Sequence, residues 1–187
     1  MEVLSTRSVW CLIVLLAPLW PAFAQVKSAP PAPRSAHEFV QGFYDWYDPI
    51  ALRDNPGPAS DIALKEKRST FSPELARLLK EDSDAQARCA ELIGIDFDPI
   101  LMSQDPEERY EVGTIRREGE IFQAEIYGVR SGKRFEKPAV IAEFMQSNGR
   151  WFFVNFVYPE DHTDLLAILK SPRAKCTVPR PPPAAGH

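Results

Sequence analysis

Few groups in the chain have the type and spacing to do chemistry. Asp45 and Asp48 bracket Trp46-Tyr47, and a carboxylate beside an aromatic wall is the raw material of a general base. Helical phase, however, sets Asp45 about 160° round from Tyr47, on a polar side where an acid stays hydrated. Tyr47 falls near the apolar centre. It either lines a pocket or is a core tyrosine whose hydroxyl bonds a backbone carbonyl. Glu143 and Asn155 interrupt apolar strand faces, and each is either a pocket group or an exposed edge residue. Cys89 and Cys176 either form one bridge or serve as two buried thiols.

Other constellations do not add up to a site. His37, His162 and His187 lack ligand spacing with each other or with the cysteines, so no zinc site is expected. Asp96-Phe97-Asp98 with Glu107 matches the ends of a calcium loop, but Ile100 and Leu101 fall where a ligand and a glycine belong. There is no glycine-rich phosphate loop, no G-x-S-x-G and no H-E-x-x-H. No cofactor and no metal are expected. The net charge of −4 carries no electrostatic footprint for nucleic acid.

The elements that must position these residues are legible in outline. Ser35-Ala36-His37-Glu38 is a capping box. It opens a helix with Phe39, Val40, Phe43, Tyr44, Trp46, Tyr47 and Ile50 on one wide face, and Pro49 is expected to end it soon after Tyr47. Ser72-Pro73-Glu74 starts a second helix with Leu75, Leu78 and Leu79 inward. A further helical segment is expected over 84–92, stopping at Gly94. Residues 62–67 show no decisive pattern.

From Tyr110 onward the apolar period changes to two. Asn148-Gly149 marks a two-residue hairpin, with Phe144 opposite Phe153, Ala142 opposite Asn155 and Val140 opposite Val157. Trp151 is expected to be buried on the face with Phe153 and Val157. Ile141, Met145, Phe152, Val154, Phe156 and Tyr158 then make the second face apolar too. That face needs a cover, either a C-terminal helix over 163–169 or a second copy of the chain as a homodimer. The predicted fold is α+β, with N-terminal helices packed into a curved antiparallel, cone-like sheet and a C-terminal helix.

At 187 residues, 44% hydrophobic and 26% charged, the chain suits one globular domain. Residues 1–24 read as a signal peptide: Arg7, an apolar run over 9–17 and the small-x-small site Ala22-Phe23-Ala24. The run is about half the roughly 20 residues of a membrane span, so no span is expected in the mature form. Cys11 lies inside that run and not at the end of a lipobox. A Pro/Ala-rich linker follows over 25–35, the single domain covers 36–176, and 177–187 reads as a Pro-rich disordered tail.

The order Phe43-Tyr44-Asp45-Trp46-Tyr47, Phe71-Ser72-Pro73-Glu74-Leu75, Asp98-Pro99-Ile100 and Gly149-Arg150-Trp151 with Val157-Tyr158 resembles the exported bacterial domain-of-unknown-function family 3828. The resemblance covers about residues 36–170. It implies a nuclear-transport-factor-2-like (NTF2-like) cone and carries no catalytic residue set. Where the family often has acids in its last strand this chain has Val154 and Asn155, which argues against carboxylate catalysis. The expected role is a periplasmic or secreted non-enzymatic module that binds an envelope protein or a small ligand. The alternative is a ketosteroid-isomerase-type enzyme with a pocket between the first helix and the sheet.

Overall fold

Local chemistry opens the first helix. Glu38 N–H donates to Ser35 Oγ at 3.1 Å, and Ser35 N–H donates to Glu38 Oε2 at 3.2 Å, which together start α1 (Ala36–Ala51). The computed structural model describes residues 35–54, 57–172 and 175–181. The expected signal peptide, the linker apart from Ser35, and residues 182–187 of the tail lie outside them.

α1 does not stop at Tyr47. It runs through Pro49 to Ala51. The carbonyl that Pro49 cannot serve is that of Asp45, and both residues are exposed, so water can satisfy it. The last turn is also pinned from outside the helix. Asp48 is buried and accepts Tyr110 N–H at 2.7 Å.

α2 (Ala59–Glu66) takes up most of the undecided segment, and a 3-10 turn (Arg68–Thr70) leads to α3 (Pro73–Arg88). Ser72 caps α3 by accepting Leu75 N–H at 3.2 Å. α3 is continuous where the sequence suggested a new start at residue 84. Arg77–Glu81 at 2.7 Å and Lys80–Asp84 at 2.9 Å sit at helical spacing across that point. The helix ends at Arg88, before Gly94. Gly94 lies against Asp82, and a Cβ there would come within 2.7 Å of its carboxylate.

The rest is an antiparallel, open, six-stranded sheet followed by a short helix, which is the α+β order predicted. The strands are β1 (Arg109–Glu118), β2 (Ile121–Arg130), β3 (Lys133–Arg134), β4 (Val140–Ser147), β5 (Arg150–Tyr158) and β6 (Thr163–Asp164), and then comes α4 (Leu165–Lys170). Their order is β1-β2-β4-β5-β6, with β3 on β2. Asn148 and Gly149, with φ of 50° and 73°, make the expected tight turn.

The hairpin register holds only as far as Phe144 opposite Phe153. A bulge follows, and Glu143 faces Asn155, Ala142 faces Phe156 and Ile141 faces Val157. The cause lies outside the hairpin. Ser72 N–H, leading into α3, donates to Phe153 O at 2.7 Å and diverts that carbonyl from the ladder. Past the bulge, Phe156 and Tyr158 turn into the core, while Asn155 and Val157 turn away from it. Trp151 is therefore not on a face with Val157. It is half-buried and packs against Phe39, Phe122 and Phe144. On the opposite face Ile141, Met145, Phe152 and Val157 stay partly exposed, and α4 packs on β5, β6 and α3.

The core is aromatic. Phe39, Phe43, Tyr44 and Tyr47 from α1 meet Phe71, Phe144, Phe153, Phe156 and Tyr158. These rings fill the space between α1 and the sheet where a ligand pocket was one expectation. Cys89 and Cys176 are joined as a disulfide across 87 residues. Residues 177–181, read from sequence as the start of a solvated tail, are exposed but bonded to the end of α3. Denatured, unreduced protein lacking residues 1–24 should titrate no free thiol. Two reactive thiols would show the pair open.

Candidate functional site

The described residues hold one concentration of perturbed acids and tyrosines. It lies where the second half of α1 meets the segment between α3 and β1. That segment carries a turn closed by Asp98 N–H donating to Ser103 O at 2.8 Å. Asp98 is its organiser. Oδ1 accepts Ile100 N–H at 2.9 Å and Leu101 N–H at 3.1 Å, and Oδ2 accepts the Tyr47 hydroxyl at 2.7 Å. Two more hydroxyls clamp the same turn. Tyr158 donates to Pro99 O at 2.6 Å and Tyr44 to Ile100 O at 3.3 Å. Ile100 and Leu101 are wholly buried.

A second acid, Asp48, sits one residue beyond Tyr47. Oδ2 accepts Tyr110 N–H, and Oδ1 is buried with no hydrogen-bond partner. Gln41 completes the tie of α1 to β1, donating to Tyr110 O at 3.1 Å and accepting Val112 N–H at 2.8 Å.

Burial dominates the electrostatics. It lifts the Asp48 carboxyl from 3.8 to about 7, helped by the charges of Asp45 and Asp98 and opposed by Tyr110 N–H and Arg109. Burial also raises Asp98, while its three donors pull the other way. Tyr44 and Tyr47 are pushed well above the usual tyrosine range, first by burial and then by the nearby carboxylates. Tyr110 is pushed up to about 12, chiefly by burial. These hydroxyls are locked neutral: those of Tyr44 and Tyr47 donate, and that of Tyr110 accepts Glu107 N–H at 3.2 Å.

An open groove of about 900 Å³ lies beside this cluster, lined by the end of α1, α2, α3, residues 95–106 and Arg180. No strand residue lines it. Its acids are Asp54, Asp61, Asp82, Asp96 and Asp98, against Arg53 and Arg180. Asp98 is partly exposed and belongs to both cluster and groove, whereas Asp48 and Tyr47 do not line it. Asp61 accepts the Ser83 hydroxyl at 2.7 Å. Among the described residues no group of three His, Cys, Asp or Glu could hold a metal ion, and no helix is long and apolar enough to cross a membrane.

Of the residues singled out from sequence, Glu143 and Asn155 come together, as do Cys89 and Cys176, but Tyr47 stands apart from both pairs. Tyr47 is buried, and its partner is a carboxylate and not the backbone carbonyl that was one expectation. Glu143 and Asn155 face each other on the sheet face opposite Ala142 and Phe144, away from Tyr47. They form a polar row in which Gln123 donates to Glu143 at 2.9 Å, and Asn155 donates to Glu143 at 3.2 Å and to Asp164 at 3.1 Å. Asn155 Oδ1 also accepts Leu166 N–H at 3.1 Å, so the row anchors α4. Asp45 is exposed and accepts from Gln41 at 2.8 Å.

The sequence sets Asp48 beside Tyr47 and Asp98 in a rejected calcium-loop pattern, without bringing the two acids to one site. Asp48 follows Val40 and Tyr44 at intervals of four, which places it on the buried stripe. Asp98-Pro99 is a turn-initiating pair. Its bond to Tyr47 has no local signature.

Tyr47→Phe should destabilise by about 2 kcal/mol, because the part-buried Asp98 carboxylate loses one of its three donors. Urea denaturation checks this, and a loss under about 0.5 kcal/mol would show the oxygen re-satisfied by water. No protein-family model, no curated protein and no solved structure matches the chain.

Proposed function

We propose that the chain is an exported, non-enzymatic binding module of the nuclear-transport-factor-2-like kind, with the groove as its ligand site. Export is supported by the apolar run and Ala22-Phe23-Ala24. The fold reading is supported by the helix-then-sheet order and by the motifs that resemble family 3828.

One observation carries the non-enzymatic reading. The two carboxyls with raised pKa are committed to the frame. Asp98 accepts three hydrogen bonds that hold the 98–103 turn, and Asp48 is sealed between α1 and β1 outside the groove. A general base must come within hydrogen-bond reach of a substrate proton, and neither acid has an oxygen both free and facing the groove. The groove is concave, mixed in polarity and large enough for a small ligand or a peptide segment.

A second reading has its own support. Asp98 stands at the groove wall with a raised pKa and a tyrosine at 2.7 Å, the components of a proton-transfer site. Thermal-shift screening with small amines, amides and enolisable ketones separates the two. The binding reading expects hits that are lost in Asp61→Asn or Ser103→Ala and ketones that are not turned over. Ketone turnover abolished by Asp98→Asn, with the fold intact, would put the enzyme first.

A further inference from the structure

We propose that residues 176–180 form a strap that the Cys89–Cys176 disulfide holds across the end of the groove, and that a dithiol reductant releases it. The disulfide ties the strap to the residue that ends α3. Beyond it, Ala90 N–H donates to Val178 O at 2.9 Å and Arg180 N–H donates to Arg88 O at 2.9 Å, an antiparallel bridge of Cys89 with Pro179. Thr177 Oγ1 bonds Glu91 at 2.6 Å. The end of this strap puts Arg180 into the groove wall.

Little else holds it. Every residue from Lys175 to Pro181 is exposed, and Val178 is 49% exposed. Apart from the disulfide itself, the strap therefore buries little apolar surface. Its two backbone bonds face solvent, where water competes for both partners. Ordering a chain segment costs entropy that such bonds barely offset, so the covalent tether keeps the segment in place. Pro179 lowers that entropy cost, since it has fewer unbound conformations to lose.

The bond is open to attack from one side. Cys176 is exposed while Cys89 is wholly buried. A thiolate of the reductant attacks Cys176 Sγ, and Cys89 leaves as a thiolate and takes up a proton. The second thiol of the reductant then closes its own disulfide and releases Cys176 as a thiol. Two electrons and two protons pass from the dithiol to the protein. With the strap gone, the groove loses one of its two arginines and opens at the α3 end. Arg53 is then the remaining cation beside its five aspartates. That consequence for ligands rests on the groove reading above, whereas the release itself does not.

Amide exchange followed by NMR on the full chain, before and after dithiothreitol, tests the release. On reduction, exchange at Ala90 and Arg180 should accelerate at least about tenfold, as expected for a local opening. The amides of Ile95 and Asp98, bonded to Asp82 and Ser103, should be unchanged. Cys89→Ala with Cys176→Ala should reproduce the reduced pattern. Unchanged exchange at Ala90 and Arg180 would overturn the proposal, because the strap would then hold itself. Acceleration spread through α1 and β4–β5 would overturn it too, since the bond would then be a global stabiliser. A bond that survives dithiothreitol in the folded chain, shown by thiol titration, would remove the redox control.

Discussion

Phe153→Ala should destabilise the protein by about 4 kcal/mol, the range for emptying a filled aromatic site. Phe153 is wholly buried. The rings of Phe39, Phe43, Phe71, Phe144 and Phe156 lie with centroids 4.8 to 6.3 Å from its own. Those rings come from α1, the lead-in to α3, β4 and β5 itself, so removing Phe153 unseats every layer at one point. Several of these neighbours are rigid rings that cannot collapse into the void as a methionine might. Phe153→Leu, which keeps most of the volume, should lose under about 1.5 kcal/mol. Urea denaturation of both variants is the check. A loss under about 1.5 kcal/mol for Phe153→Ala would mean that the site closes over, and that the aromatic core is not centred here.

Asp48→Asn should do the opposite and stabilise the protein, by a gain that grows as pH rises above 3.8 and is full above about 7. The folded carboxyl is raised from 3.8 to about 7. Between those two values the folded chain holds a proton that the unfolded chain has released. Stability from this group is therefore full below pH 3.8, falls as pH rises towards 7, and is level above it. Roughly three pKa units correspond to an upper bound of about 4 kcal/mol. Relaxation around the site makes a gain on the order of 2–3 kcal/mol at pH 8 the reasonable expectation. The asparagine oxygen can still accept Tyr110 N–H, and the amide carries no charge to desolvate. Near pH 4 the two proteins should differ by under about 1 kcal/mol. Asp98 is raised as well, so a smaller slope of the same sign should persist in the variant. Denaturation at pH 4, 5.5 and 8 tests the sign. If Asp48→Asn were destabilising at pH 8, the Asp48 charge would have a partner that its buried surroundings do not show.

Both predictions rest on features that the chain announces unevenly. Ser35-Ala36-His37-Glu38, Ser72-Pro73 and Asn148-Gly149 declare helix starts and a turn because all their partners are within three residues. The α+β order follows from the change of apolar period, which is equally local. The bulge after Phe153 could not be read that way, since its cause is the Ser72 amide arriving from the other half of the chain. It reversed the facing of Asn155 and Phe156 and, with them, one of the sequence-based site residues. Pro49 looked like a helix end because the tie from Asp48 to Tyr110 that steadies the final turn is tertiary. Tyr47 was identified as a hydroxyl in need of a partner, but Asp98 is not near it in sequence. The acid cluster is the product of topology and burial. Helical phase puts Tyr47 inward, and the four-residue interval from Val40 and Tyr44 puts Asp48 on the same buried stripe.

The bonds that fasten α1 to β1 bear on how this protein behaves in a crowd. An open sheet ends in strands with unpaired amides and carbonyls, and such an edge templates the addition of another chain. β1 is one of the two ends of this sheet. Its Tyr110 N–H and C=O and its Val112 N–H are already taken by Asp48 and Gln41. Two helix side chains thus occupy the places that an incoming strand would need. The other end is β6, only two residues long, which pairs with Val157 and Tyr158 of β5. Strand addition over residues 110–112 must therefore begin by lifting α1 off the sheet. Pairing of another chain along that stretch is coupled to loss of the aromatic core, so this part of the edge is guarded without the sheet closing into a barrel.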